Sequence, residues 1–435
     1  MNNRVLKNAS WIIICKVIQS VLALVINMLT ARYLGPSNFG LITYAASLVA
    51  FAVPIMQLGI NNILVHELVN RPLREGEIMG TSIILSVVSS IFCIAGVVAA
   101  AYILNPDEPE TVLVCLLYSL LLLFQAMDMI GFWFQAKLLS KYTSLVSLFV
   151  YFVVAAYKIW LLVTKKSIYW FAVSNALDVC LISIVAIIIY YKLGGAKFKF
   201  SSELARQMFS KSKHYIISSM MVTIFAQTDK IMLKQMLDET ATGYYGAAVA
   251  CAGLTGFVFA AIIDSFRPSI FEGLTISEEV FTHRLILLYS IIIYVSLVQS
   301  VLMTAFARII ILILYGGAYE PAAGALMIVV WYTTFSYIGS VRNIWILAYN
   351  KQKYLWIINL SGATANVLLN WLMIPHLGIH GAALASLITQ FFTNVLIGYI
   401  LLPIRGNNTI MVKSLNPKHL AEAIRKIRNK EETGS

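Results

Sequence analysis

The sequence predicts an all-α polytopic membrane protein of about 12 transmembrane helices in two six-helix lobes. Three observations predict this class: 60% of the residues are apolar and only 12% are charged, the apolar runs are long, and a weak internal repeat relates the two halves. A soluble chain of this length would carry about a quarter of charged residues. The composition cannot cover a water-facing surface, whereas lipid accepts apolar side chains directly.

The apolar runs define the individual helices. A crossing needs about 20 apolar residues, because each residue rises about 1.5 Å through hydrocarbon about 30 Å thick. Five runs reach this length without any charge: 78–106, 240–263, 285–307, 321–341 and 354–375. With seven runs that carry one or two charges, the predicted spans are 9–34, 38–66, 77–104, 110–136, 141–164, 168–192, 207–236, 240–269, 282–315, 321–349, 352–374 and 378–402.

The basic residues between the spans predict the orientation. Lys and Arg resist translocation and therefore collect on the cytoplasmic side. With both termini inside, 23 basic residues fall on the cytoplasmic side and five fall outside, which also accounts for the net charge of +12. Nucleic acid is not an expected partner, because these residues are spread over many short loops and do not form one basic domain.

The connection at mid-chain and the repeat predict the division into lobes. The expected parts are an N-terminal lobe at 1–192, a basic cytoplasmic linker at 193–206, a C-terminal lobe at 207–402 and a basic cytoplasmic tail at 403–435. The repeat has a constant offset of 203 residues, which predicts a pseudo-two-fold axis along the membrane normal. The matching residues are Leu34, Gly40 and Ala45 in the first half and Leu237, Gly243 and Ala248 in the second.

Charged and amide side chains inside the spans are the candidate site. A charge in the bilayer is costly unless it faces a partner or a wet cavity, so each is a functional candidate. The alternative is that the charges pair to hold helices together and that the amides only join helices. The candidate substrate-binding cations are Lys16, Arg32, Lys158, Lys230, Arg267 and Arg342, the carboxylates are Asp128, Asp178, Asp229 and Asp264, and the amides are Gln19, Asn27, Gln227, Asn359, Asn366 and Asn370.

These residue types favour transport of an anion. Guanidinium and ammonium groups bind phosphate, so the cations predict an anionic head group as cargo. The carboxylates are the candidate sites for a coupling ion, Na⁺ or H⁺, and no other cofactor is expected. The sequence has no nucleotide-binding glycine loop and no cluster of metal ligands, so we expect neither an enzyme nor a metal site.

Two other classes compete with this interpretation. A drug or cation antiporter would need an acidic or neutral cavity, which the surplus of deep Lys and Arg disfavours. A membrane glycosyltransferase or polymerase would need a large outer loop, and the acidic loop at 105–110 is too short.

Several motifs resemble those of one transporter family. The segment 31–45, which reads ARYLGPSNFGLITYA, resembles the first-helix signature of bacterial polysaccharide flippases, the O-antigen and capsule exporters of the multidrug/oligosaccharidyl-lipid/polysaccharide superfamily. The segments QTDKIM at 227–232, GYYGAA at 243–248, LYGGAYEPAA at 314–323 and IPHLGIHGAA at 374–383 resemble other parts of the same family in the expected order.

The resemblance implies a fold, a substrate and partners. It implies two six-helix lobes around a cationic cavity in the bacterial inner membrane. It also implies undecaprenyl-diphosphate-linked oligosaccharide repeat units, which are flipped outward by alternating access without ATP. Membrane lipids, a polysaccharide polymerase and a chain-length regulator are the other expected partners. On the family motifs lie Arg32, Asp229 and Lys230, whereas Lys16, Lys158, Asp178 and Arg342 rest on their depth in the membrane.

Overall fold

The protein is helical throughout the part that the structure describes. The computed structural model describes residues 3–422, with side chains for Cys15, residues 18–139 and residues 141–422, and this range contains no β-strand. The chain forms two compact units, Met1–Gly243 (unit 1) and Tyr244–Ser435 (unit 2). Eleven helical segments in the described range are long and apolar enough to cross a membrane. The predicted all-α polytopic class is confirmed.

The first helix contains two of the predicted spans. Helix α1 (Asn3–Met56) has 54 residues, about 80 Å if it were straight, which is more than twice the hydrocarbon thickness. The helix breaks at Gly35, where φ is 73° and ψ is 171°, a conformation that glycine adopts without a steric penalty. The two parts of α1 overlap the predicted spans 9–34 and 38–66, although the helix ends at Met56, so the twelve predicted spans fall on eleven continuous segments of the described residues.

Unit 1 is built around α1. Its apolar core includes Tyr44 on α1 together with Cys93, Cys115 and Ala172 on three later helices, all buried. Short 3₁₀ turns at Ile60–Asn62, Pro72–Arg74 and Ala126–Asp128 connect or bend the helices. The helices that follow α1 are α2 (Leu64–Asn70), α3 (Glu75–Leu104), α4 (Pro109–Ser119), α5 (Leu121–Gln125), α6 (Met129–Ala136), α7 (Ser140–Val163), α8 (Ile168–Lys192) and α9 (Ser202–Met236), and α10 (Glu239–Ala252) begins in this unit.

Helix α9 begins within the segment 193–206 that the sequence predicts to be a linker. Helix α9 begins at Ser202 and not at residue 207, because the Ser201 side chain accepts a hydrogen bond from the Leu204 N–H and caps the helix. The remaining segment, 193–201, packs on the start of α3. The Lys199 N–H donates to the Gly76 carbonyl at 3.0 Å, and a Cβ at Gly76 would overlap the Lys197 carbonyl.

Helix α9 packs within unit 1 along α1 and α3. Its N-terminal half is held by Lys211, whose amine lies 2.6 Å from the buried carboxylate of Glu67, and by Ser212, whose hydroxyl donates to the Leu58 carbonyl. The linker and the repeat predict that residues 207–236 belong to the second lobe. The division into two six-helix lobes stays a prediction, and the boundary between the two compact units lies between Gly243 and Tyr244.

Unit 2 surrounds a core formed by α12 and α13. Buried residues of this core include Phe281 and Tyr289 on α12 and Trp345 on α13. Helix α15 passes into a π-helix at Phe392–Leu396, where the regular backbone hydrogen bonding is interrupted. The helices are α11 (Gly256–Ile276), α12 (Glu278–Leu314), α13 (Ala322–Ala348), α14 (Leu355–Leu377), α15 (Ile379–Phe391), α16 (Ile397–Ile400) and α17 (Arg405–Lys413), with 3₁₀ turns at Gly253–Thr255, Gly317–Tyr319, Gln352–Tyr354 and Leu402–Ile404.

The first part of the predicted tail belongs to unit 2. Helix α17 packs on α12, where the Tyr289 hydroxyl donates to Asn407 Oδ1 at 2.8 Å and the Ser290 hydroxyl donates to the Ser414 carbonyl at 2.8 Å. Buried polar contacts hold this stretch against α12, and the predicted division into a lobe and a basic tail at residue 403 stays a prediction. Residues 423–435, which complete the predicted basic tail, lie outside the described residues.

Candidate functional site

Lys158 on α7 is the first candidate cation within a span. Its amine donates to Asn175 Oδ1 on α8 at 3.3 Å. Asp178 lies one turn beyond Asn175, and its buried Oδ1 has no hydrogen-bond partner among the described residues. The Asp178 carboxylate is close enough to interact electrostatically with both Lys158 and Asp128. Unit 1 thus holds one cation and two carboxylates of the predicted site in one neighbourhood.

The stripe on α9 supplies the second candidate cation. The Lys230 amine donates to Gln227 Oε1 at 2.9 Å, and the same oxygen accepts the Ser47 hydroxyl of α1 at 3.2 Å. Gln227 therefore joins α1 to α9 and orients the amine of Lys230. Asp229, the residue before Lys230, is buried. Gln227, Lys230 and Lys234 are three and four residues apart and therefore lie on one face of α9.

Lys234, one turn after Lys230, forms an ion-paired cluster that the sequence analysis missed. Its side chain is only 4% exposed, and its amine lies 2.8 Å from Glu108 and 3.3 Å from Glu239. The sequence places Lys234 near the outer end of the predicted span 207–236, on the same helix face as Gln227 and Lys230. Its spacing of four from Lys230, together with the acidic loop at 105–110, was the signal that could have located the cluster.

Arg342 is the candidate cation of unit 2. The guanidinium is buried, with a relative exposure of 5%, and it donates through Nη1 to the Thr393 carbonyl in the π-helix. Its Nε is buried and has no hydrogen-bond partner among the described residues. The interrupted backbone of the π-helix leaves a carbonyl available, and Arg342 uses it. Arg342 therefore contributes to the packing of α13 against α15.

Asp264 and Arg267 form the pair that the alternative interpretation expected. Their side chains are 64% and 47% exposed, and Arg267 lies 3.1 Å from the Asp264 carboxylate at a spacing of three on α11. An exposed pair of this kind contributes little to stability. The two residues are the most exposed members of the predicted set whose ion pairing is described.

The predicted amides differ in burial. In unit 2, the fully buried Asn366 and Asn370 bond to each other at 3.1 Å, and Asn366 also donates to Ser386 on α15 at 3.4 Å. Asn359, which lies two turns before Asn366 on α14, is half-buried, as are Gln19 and Asn27 on α1. The buried pair joins α14 to α15, which fits the alternative that such amides hold helices together.

Two members of the predicted set have little structural description. Arg32 is exposed near the end of the first part of α1. The Lys16 side chain lies outside the described residues. Within residues 3–422, no group of three or more His, Cys, Asp or Glu side chains is placed to hold a metal ion. The roles of all the predicted site residues remain predictions.

The contacts of the described cations distinguish the two interpretations. Among the described residues, no carboxylate lies within 4 Å of the charged groups of Lys158, Lys230 or Arg342, whereas Arg267 and Lys234 are ion-paired. The hydrogen-bond acceptors of the first three are amide or backbone oxygens. This arrangement fits a membrane transporter of an anion, and the role of the three side chains stays a prediction.

The family comparison agrees with that class. The family model described as polysaccharide biosynthesis protein matches residues 5–274, and the chain belongs to this family. A curated relative, an uncharacterized membrane protein of Methanocaldococcus jannaschii, is 29% identical over 245 residues, which cover 52% of this chain. The match covers 47% of that relative, so the chain spans about half the length of the curated protein it matches.

Solved structures identify the fold. A structure of the lipid II flippase MurJ matches with a TM-score of 0.70 and 14% identity, and it covers 92% of this chain and 90% of that one. An inward-facing multidrug resistance transporter of the MATE family matches with a TM-score of 0.66 and 12% identity, over 91% and 96% of the two chains. The fold is that of the multidrug/oligosaccharidyl-lipid/polysaccharide superfamily, and the resemblance predicted from the motifs is confirmed.

Proposed function

We propose that this protein flips undecaprenyl-diphosphate-linked oligosaccharide repeat units from the cytoplasmic to the outer leaflet of a bacterial inner membrane, with both termini in the cytoplasm. The family membership and the fold support a transporter or flippase in polysaccharide biosynthesis. The observation that carries the substrate assignment is that Lys158 and Lys230 are bonded to amide oxygens within the spans. A diphosphate can replace an amide acceptor, because a charged acceptor gives a stronger hydrogen bond.

In this mechanism the amine positions matter more than any catalytic group. Gln227 holds the Lys230 amine at 2.9 Å in a defined orientation, and Asn175 does the same for Lys158. A diphosphate that takes either amine leaves a neutral amide behind, so the protein is not left with an unpaired buried charge. Chemistry on the cargo is not required, because transport changes only its side of the membrane.

An ion gradient is the proposed energy source. The electrostatic pair Asp128 and Asp178 beside Lys158 is the best-placed carboxylate group for Na⁺ or H⁺, since Asp264 is exposed and already paired with Arg267. Binding of a cation there would weaken the hold of the carboxylates on the Lys158 amine. The amine would then be released to the diphosphate.

Lys230→Met and Lys158→Met test the substrate assignment. Each is expected to lower transport of the lipid-linked oligosaccharide at least tenfold with normal membrane insertion, because the diphosphate loses a charge-assisted hydrogen bond worth about 1.5–3 kcal/mol. Lys230→Arg should retain part of the activity. The measurement is translocation of a fluorescent undecaprenyl-diphosphate oligosaccharide in proteoliposomes, with and without an imposed Na⁺ or pH gradient.

Arg308→Met is the matched control, because Arg308 is paired with Glu320 and both side chains are at least half exposed. Unchanged translocation in both lysine variants would contradict the assignment. Export of a cationic drug in place of the oligosaccharide would support the antiporter alternative. Equal rates with and without either gradient would contradict the proposed coupling.

A further inference from the structure

The two copies of the internal repeat meet in unit 1 at a reciprocal helix crossing. A Cβ at Gly40 would overlap the carbonyl oxygen of Glu239, and a Cβ at Gly243 would overlap the carbonyl oxygen of Pro36. Pro36 and Gly40 are offset from Glu239 and Gly243 by the 203 residues that the sequence repeat predicts. Each copy therefore presents its glycine to the equivalent carbonyl of the other copy, and no side chain larger than hydrogen fits at either position.

Polar contacts fasten the crossing on one side. Lys234 bridges Glu108 on the α3–α4 connection and Glu239 on α10, at 2.8 and 3.3 Å. The Ser37 hydroxyl donates to the same Glu239 carboxylate at 3.2 Å. Glu239 is thus held at once by α1 and α9, the two helices that enter the crossing.

A second layer of hydrogen bonds lies deeper along α1 and α9. The Gln235 amide donates to the Tyr44 hydroxyl at 3.1 Å and to Asn105 Oδ1 at 3.0 Å. Asn105 also donates to Tyr44 at 3.0 Å. Ser47, which bonds to Gln227, follows one turn later. The polar seam between α1 and α9 therefore continues from the crossing to the Lys230 site.

The cluster around Lys234 is accessible to water. The Glu108 side chain is 46% exposed and that of Glu239 is 32% exposed. A cavity of about 330 Å³ lies beside them, lined by residues 104–108, 234, 235 and 237–239. Charges that are joined next to water can separate at low cost, because water takes over their solvation. An apolar helix interface offers no such substitute.

We propose that this crossing is a gate at the end of unit 1 that the basic-residue distribution places outside, and that it opens in each transport cycle. The proposal rests on the proposed function, because only transport requires the seam to open. Gly40 and Gly243 provide the closed fit, and Lys234 is the latch that holds it. Opening exposes the Ser47–Gln227–Lys230 seam to the outer side and allows a bound diphosphate to leave.

The first test wedges the gate. In a background without the native cysteines, Ser47→Cys reports opening through its labelling by a membrane-impermeant maleimide added to intact cells. Ser47 is 1% exposed, so labelling is expected to be slow in the parent protein. It is expected to rise at least fivefold in Gly40→Ala, where the added methyl overlaps the Glu239 carbonyl, and to rise in Lys234→Met.

Gly96→Ala on α3 is the matched control, because a Cβ there meets no other group within 4 Å. Its labelling rate should equal that of the parent. Equal labelling in Gly40→Ala, Lys234→Met and the control would overturn the gate. This measurement uses no substrate, so the gate can stand even if the oligosaccharide is not the cargo.

The second test locks the gate and does not depend on a folding-sensitive glycine variant. Ser37→Cys with Glu239→Cys is bridged by a short bifunctional methanethiosulfonate, and transport of the lipid-linked oligosaccharide is measured before and after reduction. We expect loss of transport on bridging and recovery on reduction. The control pair is Arg74→Cys with Glu77→Cys, whose native side chains lie 2.7 Å apart at one end of α3, and bridging there should leave transport unchanged.

The outcomes separate the two proposals. If the bridged protein transports as fast as the same protein after reduction, the gate is overturned. A second outcome is that Gly40→Ala raises labelling while neither the parent nor any variant transports the oligosaccharide. This outcome supports the gate and contradicts the proposed function.

Discussion

The two units hold their polar groups in different ways. Unit 1 has two buried carboxylates that are ion-paired near helix ends, Glu67 with Lys211 and Glu75 with Lys137. Among the described residues of unit 2, the ion pairs lie at the surface, and the fully buried polar side chains are neutral, as Asn366, Asn370 and Thr389 are. Ion pairs at helix ends can be released by water, salt or protonation, whereas amides buried between helices cannot. Unit 1 therefore carries the contacts suited to a moving part, and unit 2 carries those suited to a fixed one.

Lys234→Met should produce the largest difference between the units. It leaves two carboxylates beside an uncharged side chain, and we expect a loss of about 1–3 kcal/mol, since one partner is almost fully buried and the others are half exposed. Two native cysteines report the units separately: Cys115 is fully buried in unit 1 and Cys251 in unit 2. Single-cysteine versions, heated with a thiol-reactive dye, should show earlier exposure of Cys115 and unchanged exposure of Cys251.

The control for that measurement is Arg308→Met, which removes a surface pair worth less than about 1 kcal/mol. It should leave both reporters unchanged. Equal shifts of Cys115 and Cys251 in Lys234→Met would mean that the units do not unfold separately, and the comparison would fail.

Asn370→Ala should have a smaller effect, confined to unit 2. Asn366 Oδ1 loses the donor that lies 3.1 Å away in a fully buried position, which costs about 1–2 kcal/mol. Here Cys251 should become reactive at a lower temperature while Cys115 does not. Added salt should alter neither reporter in this variant. The half-buried Asn359 on the same stripe provides the control as Asn359→Ala, and an equally large effect there would contradict the account.

The smallest effect is a dependence on pH in unit 1. The hydrogen bond from Lys234 lowers the pKa of the Glu108 carboxyl, and the contact with Thr111 acts in the same direction, although partial burial opposes both. Because the folded pKa lies below the unfolded value of about 4.3, this contact stabilises the protein above that pH. The stabilisation is lost as the pH falls through the folded pKa.

We therefore expect the melting temperature of Glu108→Gln to lie below that of the parent at neutral pH and to approach it as the pH falls below about 4.3. Intrinsic fluorescence during heating measures this difference directly. A gap that stays constant down to pH 3 would show that Glu108 does not titrate with the contact. Near neutral pH the latch should not respond to pH, so any pH-driven transport must use another carboxylate.

The fold could be predicted from the sequence to a greater extent than the site. Apolar runs report lipid contact directly, so most spans agree with the structure to within a few residues, and the repeat offset of 203 located the reciprocal glycines. Most partners across helices could not be predicted, because no local pattern in the chain states, for example, that residue 342 meets residue 393. The contact of the buried Arg342 with the π-helix and the packing of residues 193–201 on α3 both depend on tertiary structure.

The docking of α17 has a consequence for the order of assembly during synthesis. Asn407 and Asn408 complete contacts with Tyr289 and Val395, residues made earlier in the chain. Until residues 405–414 leave the ribosome, those groups in unit 2 stay unpaired within the bilayer. Unit 1 also waits for its last helices, because Glu67 is paired with Lys211 and Ser37 is bonded to Glu239. These partners precede unit 2 in the chain, so the helices of unit 1 can reach their final packing while the ribosome is still translating unit 2.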